Sequence, residues 1–255
     1  MWKNFFKRTV LFFSPVLILL IHLPFVSAVI KPVDILLTHN TSEIAINSAN
    51  NNVAIVPYTA ATLYDTLKLN KFGLSQQAFV NGINGFNYLV STGKIINRNI
   101  ISIADFSLPS SQKRFFVFDI NSKKILFNTY IAHGINSGRE YARSFSNKNE
   151  SNQSSLGFYQ TKGTYNGNNG YSLKLQGLEY GFNDNAESRA IVMHGAAYVS
   201  ESFIQAQGYI GRSQGCPALP EKVTRPIIDK IKNGTCFFIY SPDKNYQKKS
   251  KILNA

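Results

Sequence analysis

Only two cysteines, Cys216 and Cys236, occur among the 255 residues, which excludes a disulfide-knit scaffold and allows one bridge at most. Histidine is nearly as scarce, with four, and no two of these residues stand at metal-ligand spacing, so neither a metal nor another cofactor is expected. No Gly-Lys-Ser/Thr follows any of the glycine-rich pieces, which removes a phosphate loop. Acidic residues are few: 14 Asp and Glu stand against 27 Lys and Arg, a formal charge of +13. Such a surface attracts anionic polymers. Nucleic acid is not the expected one, because no Lys/Arg block interleaves with aromatics and the one dense run, Lys244 to Lys251, reads as a solvated tail. A long uninterrupted apolar run is missing as well. The nearest approach, Thr9 to Val26, is broken by Pro15, His22 and Pro24, so no stable transmembrane anchor is expected.

That interrupted run has another reading. Lys3, Lys7 and Arg8 precede it, and Val26-Ser27-Ala28 offers small residues for cleavage before Val29, the layout of a signal peptide over residues 1–28. The protein is therefore expected to be exported, to the periplasm or cell envelope, where nucleic acid is absent and carboxylate-bearing wall peptides are abundant. Loss of the three basic residues brings the charge to about +10, still strongly basic. Nothing in the sequence fixes an oligomeric state.

Along the rest of the chain the periodicity changes twice. Residues 29–56 are rich in Asn and Ser without a period, a flexible leader. Residues 57–96 read as a small helical subdomain: Phe79, Ile83, Phe86 and Val90 recur at helical spacing, with Ser75 placed to cap the start and Gly93 to end it. Residues 97–243 read as mostly β. Apolar and aromatic runs at 100–106, 114–120, 125–131, 190–194 and 236–240 are bounded by turn residues. Between them, residues 144–185 are crowded with Asn, Ser and Gly and read as long loops and hairpin turns. A helix carrying Val223, Ile227 and Ile231 follows Pro220, and residues 244–255 form the basic tail. The fold class is α+β, mainly β.

The stretch Gly-Arg-Ser-Gln-Gly-Cys-Pro, residues 211–217, places Cys216 between glycine and proline. Small neighbours admit a substrate backbone to the sulfur and leave amides free to meet an oxyanion, the setting of a nucleophile. Cys236 lies instead in Cys-Phe-Phe-Ile-Tyr, an apolar run that reads as a buried strand. The competing reading is a Cys216–Cys236 disulfide, worth about 3 kcal/mol for a loop of this length, in a noncatalytic wall-binding protein. A thiol nucleophile needs a base. His39 lies in the leader, whereas His194 and His133 each end an apolar run followed by glycine, and spacing alone does not separate these two.

Residues 194–220, "HGAAYVSESFIQAQGYIGRSQGCPALP", resemble the active-site stretch of the L,D-transpeptidases, cysteine enzymes that cross-link peptidoglycan. "IAHGINSG", "FSN", "SSLGFYQT" and "RAIVMHGA" are in the same style, and the similarity runs from about Tyr64 to Tyr240. The resemblance implies a β-sandwich or barrel catalytic domain with Cys216 as nucleophile, His194 as base and the Gly195 carbonyl orienting the imidazole. It further implies an oxyanion hole from the Gly215 and Cys216 amides, with Ser213 shaping the site. His133, Arg212 and Gln214 are expected beside the substrate, a peptidoglycan stem peptide. The reaction implied is acyl transfer through a thioester to an amine, or to water, which would make the protein an L,D-carboxypeptidase. Two departures stand out: Gln214 replaces a usual histidine, and Ala218 replaces a usual Arg or Asn.

Overall fold

A computed structural model describes residues 59–255; the signal peptide and leader expected at 1–56 lie outside the described residues. The chain enters through α1 (Ala60–Thr66), capped by the Thr59 side chain, and after a 3₁₀ turn continues into α2 (Gln76–Ser91), whose first turn is capped by Ser75 Oγ accepting from the Ala78 amide at 3.0 Å. As the spacing predicts, Phe79, Ile83 and Phe86 face inward. They bury into the same core as the sheet rather than a core of their own, with the Phe79 ring 5.3 Å from that of Phe118. Approach is close enough that a Cβ on Gly85 would sit 2.1 Å from the Phe158 ring. A side chain there would lift the helix off the sheet.

Eight strands form one mixed sheet in the order β3-β2-β1-β8-β4-β5-β6-β7. They are β1 (Ile100–Asp105), β2 (Phe115–Asp119), β3 (Lys124–Thr129), β4 (Gly157–Gly167), β5 (Gly170–Gly177), β6 (Val192–Gly195), β7 (Ala218–Leu219) and β8 (Cys236–Tyr240). β1 and β8 pair in parallel at the centre and are buried along their whole length, which explains their unbroken apolar sequences. Phe158 on β4 stacks on Phe238 of β8 with centroids 4.1 Å apart, a contact worth about 1 kcal/mol beyond area burial.

The two edges of the sheet meet. After β3, Ala132 bridges Ala218 of β7, its amide reaching the Ala218 carbonyl at 2.8 Å, and Gly134 bridges Ser213. Closure of this kind removes free edges and produces a barrel-like shell. It also sets the loop that carries Cys216 between β6 and the 130–134 segment, held from both sides.

Two expectations need correction, and one further element has no counterpart in the sequence reading. The Asn/Gly-rich region contains two long strands, β4 and β5, joined by a two-residue turn at Asn168 and Asn169. A further helix, α3 (Glu201–Gln207), follows β6. The basic tail is not a solvated strand of chain: it forms α5 (Lys244–Lys249), and Tyr246 is fully buried. Its phenol donates at 2.8 Å to the buried Glu179, which also takes hydrogen bonds from Ser250 Oγ and the Phe158 amide. Lysines face outward while one aromatic anchors the helix.

Candidate active site

β6 and β7 run parallel with His194 beside Ala218, so the chain delivers His194 and Cys216, two residues before β7, to one end of the shell. Both line a cleft of about 910 Å³. His194 is 5 % exposed and Cys216 half-buried. The imidazole Nδ1 lies 2.9 Å from the Gly195 carbonyl oxygen. A carbonyl only accepts, so Nδ1 carries the hydrogen and Nε2 keeps a free lone pair.

The Cys216 sulfur accepts the Val192 amide hydrogen at 3.5 Å and its hydrogen points to the Ala190 carbonyl at 3.8 Å. Ala190 itself is held at φ +53°, a left-handed conformation that costs an L-residue about 1 kcal/mol and is retained here beside the thiol. Burial pushes the Cys216 thiol pKa up, while the Val192 amide and the Arg189 guanidinium pull the other way. Burial therefore favours the protonated thiol over the thiolate. Cys236 lies on β8, wholly buried, and both sulfurs are free, so the disulfide reading does not describe this fold.

The loop around Cys216 is fastened by Ser213. Its Oγ donates to the Cys216 carbonyl at 2.6 Å and accepts from the Gly215 amide at 3.0 Å, while its own amide donates to the His133 carbonyl at 3.0 Å. Gly215 adopts φ +118°, and a Cβ there would fall 2.9 Å from the Gln153 carbonyl, so no other residue fits. This arrangement alters one expectation. The Gly215 amide is already engaged by Ser213, whereas the amides of Cys216 and its neighbour Gln214 make no hydrogen bond among the described residues.

Of the three residues expected beside substrate, Arg212 and Gln214 line the cleft and His133 does not. Arg212 donates to the carbonyls of Gly138 and Ile135, and Gln214 is exposed. His133 is fully buried. Its Nδ1 accepts from Arg114 Nη2 at 2.7 Å and its Nε2 donates to the Gly138 carbonyl at 3.2 Å. Burial first, then the Arg114 charge, hold its pKa down at about 3, so the ring is neutral and braces the fold instead of meeting substrate.

Sequence reasoning missed Arg189, Tyr198 and Glu221. Arg189 ties the loop before β4 to the Cys216 region, donating to the Ser146 and Gln153 carbonyls at 2.9 and 2.8 Å. Tyr198 lines the cleft, and burial and the nearby Cys216 raise its phenol pKa to about 12. In the sequence an arginine in "DNAESRA" looks like any solvated charge. No group of three or more potential ligands able to hold a metal occurs among the described residues, and no described helix is long and apolar enough to cross a membrane.

A family model for the L,D-transpeptidase catalytic domain matches residues 70–240. Solved structures similar to this chain include an L,D-transpeptidase from Mycobacterium smegmatis, at 13 % identity and TM-score 0.34, covering 56 % of this chain and 59 % of that one. The helical cell shape determining protein Pgp2 from Campylobacter jejuni shares 16 % identity at TM-score 0.35, covering 57 % of this chain and 49 % of that one. An L,D-transpeptidase from Stackebrandtia nassauensis shares 11 % identity at TM-score 0.35, covering 73 % and 79 %. The chain thus spans little more than half the length of the first of these. A search of curated proteins returns no match. With more than half of its length matched, and both His194 and Cys216 inside the matched segment, the chain belongs to the L,D-transpeptidase catalytic domain family.

Proposed function

We propose that the protein is an exported peptidoglycan L,D-transpeptidase in which Cys216 carries the acyl group. The observation that carries this reading is the tautomer at His194: the Gly195 carbonyl occupies Nδ1 and leaves a basic Nε2 in the cleft that Cys216 also lines. A thiol whose pKa is raised by burial reacts only if its proton is removed as it attacks, and Nε2 is the acceptor.

Sulfur attacks the carbonyl carbon of the third stem-peptide residue as its proton passes to Nε2. The oxyanion meets the Cys216 amide. Collapse of the adduct breaks the amide bond, Nε2 returns its proton to the departing D-Ala amine, and a thioester remains. An incoming amine then attacks the thioester, its proton goes to Nε2, and the C–S bond breaks to regenerate the thiol. Water in place of the amine gives the carboxypeptidase outcome. The basic charge of the chain favours carboxylate-bearing stems near the cleft.

The test is intact-protein and peptide mass spectrometry after incubation with a disaccharide-tetrapeptide. A mass gain equal to the acyl portion, mapped to the peptide holding Gly215-Cys216-Pro217, supports the reading. No adduct on a folded protein with a titratable Cys216 thiol, together with no D-Ala release, refutes it.

A further inference from the structure

Beside the Cys216 cleft the chain sets out arginines on tyrosine rings. Arg212 lines the cleft, and its guanidinium lies 5.8 Å from the centre of the Tyr209 ring. Arg139 lies 5.2 Å from the centre of the same ring, and its Nε donates to the Tyr209 phenol oxygen at 3.0 Å. Arg143, on the same loop as Arg139, lies 5.6 Å from the ring of the exposed Tyr141. We propose that Arg139 and Arg143, outside the cleft, bind carboxylates of stem peptides that do not react, so that the protein grips the wall polymer at a second place while Cys216 works on one stem; this rests on the reading that peptidoglycan is the substrate.

Two features separate these arginines from ordinary solvated cations. The first is a fixed frame. The loop at 138–144 turns back on itself: the Arg143 and Ser144 amides both donate to the Ser137 carbonyl, at 2.8 and 3.0 Å. A Cβ on Gly138, at φ +149°, would fall 2.0 Å from the Tyr141 carbonyl oxygen, so the turn is built on glycine. The Gly138 carbonyl is held in turn by His133 Nε2 at 3.2 Å and Arg212 Nη1 at 3.1 Å. A guanidinium stacked and hydrogen-bonded in such a frame loses less freedom on meeting an anion than a lysine would. The second feature is missing countercharge. None of the three arginines has an ion-pair partner among the described residues. Nearby acids are committed elsewhere: the Glu140 carboxylate is turned to Ser111 Oγ at 3.4 Å, and Asp243, which shares a depression with Tyr141 and Arg143, accepts from the Tyr246 amide at 2.7 Å. A carboxylate arriving from outside supplies the absent charge, and the planar guanidinium meets it with two parallel hydrogen bonds.

The experiment is co-sedimentation with purified peptidoglycan freed of other polymers, and with the same material after its carboxylates are converted to neutral amides. The full chain carries Cys216→Ala, so that no acyl transfer intervenes. Adding Arg139→Gln and Arg143→Gln together is expected to weaken binding about fivefold at low salt, a difference that shrinks as salt rises. Neutralised material is expected to bind weakly and to treat parent and arginine variant alike. Lys124→Gln with Lys230→Gln removes two exposed cations from β3 and α4 (Glu221–Ile231), and this pair is expected to bind as the parent does. Equal weakening by both pairs, which net charge alone would produce, overturns the proposal. Unchanged binding by the arginine variant, or undiminished binding to neutralised material, overturns it as well. With Cys216 present, acylation by a soluble disaccharide-tetrapeptide should stay within about twofold of wild type in the arginine variant; a tenfold loss would assign the pair to the cleft and refute a separate surface. A wild-type protein that forms no thioester yet shows the expected binding pattern refutes the acyl-transfer reading and still supports this surface.

Discussion

Acidification should unlock the fold at His133. The imidazole is neutral in the core, accepting from Arg114 at Nδ1 and donating to Gly138 at Nε2. A proton can be added only at Nδ1, facing a buried guanidinium that is itself held by the Ile131 and Leu108 carbonyls. The folded pKa is about 3, against an ordinary value of 6.5. Between these two values the unfolded chain binds more protons than the folded one, so stability rises with pH there, is complete above 6.5 and is lost as pH falls toward 3. At 1.36 kcal/mol per pKa unit the loss is about 2 kcal/mol at pH 5 and about 5 kcal/mol in full. Against a typical domain stability of about 5–15 kcal/mol this is a large part.

Other buried groups act oppositely. Burial raises the Glu179 and Asp105 carboxyl pKa values, so each stabilises the fold as pH falls through the window above its ordinary pKa. The His133 contribution must therefore be read as a difference. His133→Asn keeps an acceptor for Arg114 and cannot titrate. Urea denaturation of both proteins from pH 7.5 to 5 should show the wild type losing about 2 kcal/mol relative to the variant, at constant m-value. Parallel pH profiles would refute the reasoning. Because the His133 carbonyl also anchors Ser213, activity in the wild type should fail over the same interval, ahead of global unfolding.

Cys216→Ala should abolish D-Ala release with the melting temperature nearly unchanged, whereas Cys236→Ser, which buries a hydroxyl in β8, should cost about 1–3 kcal/mol and spare the turnover of folded protein. Ser213→Ala removes two hydrogen bonds that shape the Cys216 loop; acylation should slow at least tenfold, and an unaffected rate would show that Gly215 and Pro217 hold the loop unaided. Alkylation of Cys216 by iodoacetamide should still be accelerating at pH 9, since burial raises the thiol pKa, and Arg189→Gln should move the curve further up by removing a stabilising cation. A plateau below pH 8 would contradict this.

Those parts of the fold that follow from a single face or a single period were legible. The stripe of α2 with its Ser75 cap, the doubly buried runs of β1 and β8 and the helix after Pro220 all follow from local pattern. β4 and β5 were not, for a physical reason. The far half of β4 is exposed, so Lys162, Gly163, Asn166 and Gly167 replace the apolar alternation that marks a half-buried strand, while β5 buries only Ser172, Leu173 and Leu175 among exposed polar and glycine residues. α5 escaped for the converse reason. One buried tyrosine among lysines anchors it, and a pattern needs more than one point.

The site divides along a similar line. Cys216 was distinguishable from Cys236 because a glycine-proline loop and an apolar strand are local facts. The two histidines were not distinguishable by sequence, since "IAHG" and "VMHG" offer the same neighbours. What separates them is burial set by distant chain: β7 pairs with both segments, taking Ala132 on one side and His194 on the other. The same closure that places His194 in the cleft seals His133 beneath it, against Arg114 from β1's neighbouring loop and Gly138 from the turn beyond. One histidine is left with a free Nε2 and the other has none, and that difference in uncommitted lone pairs decides which can serve as a base.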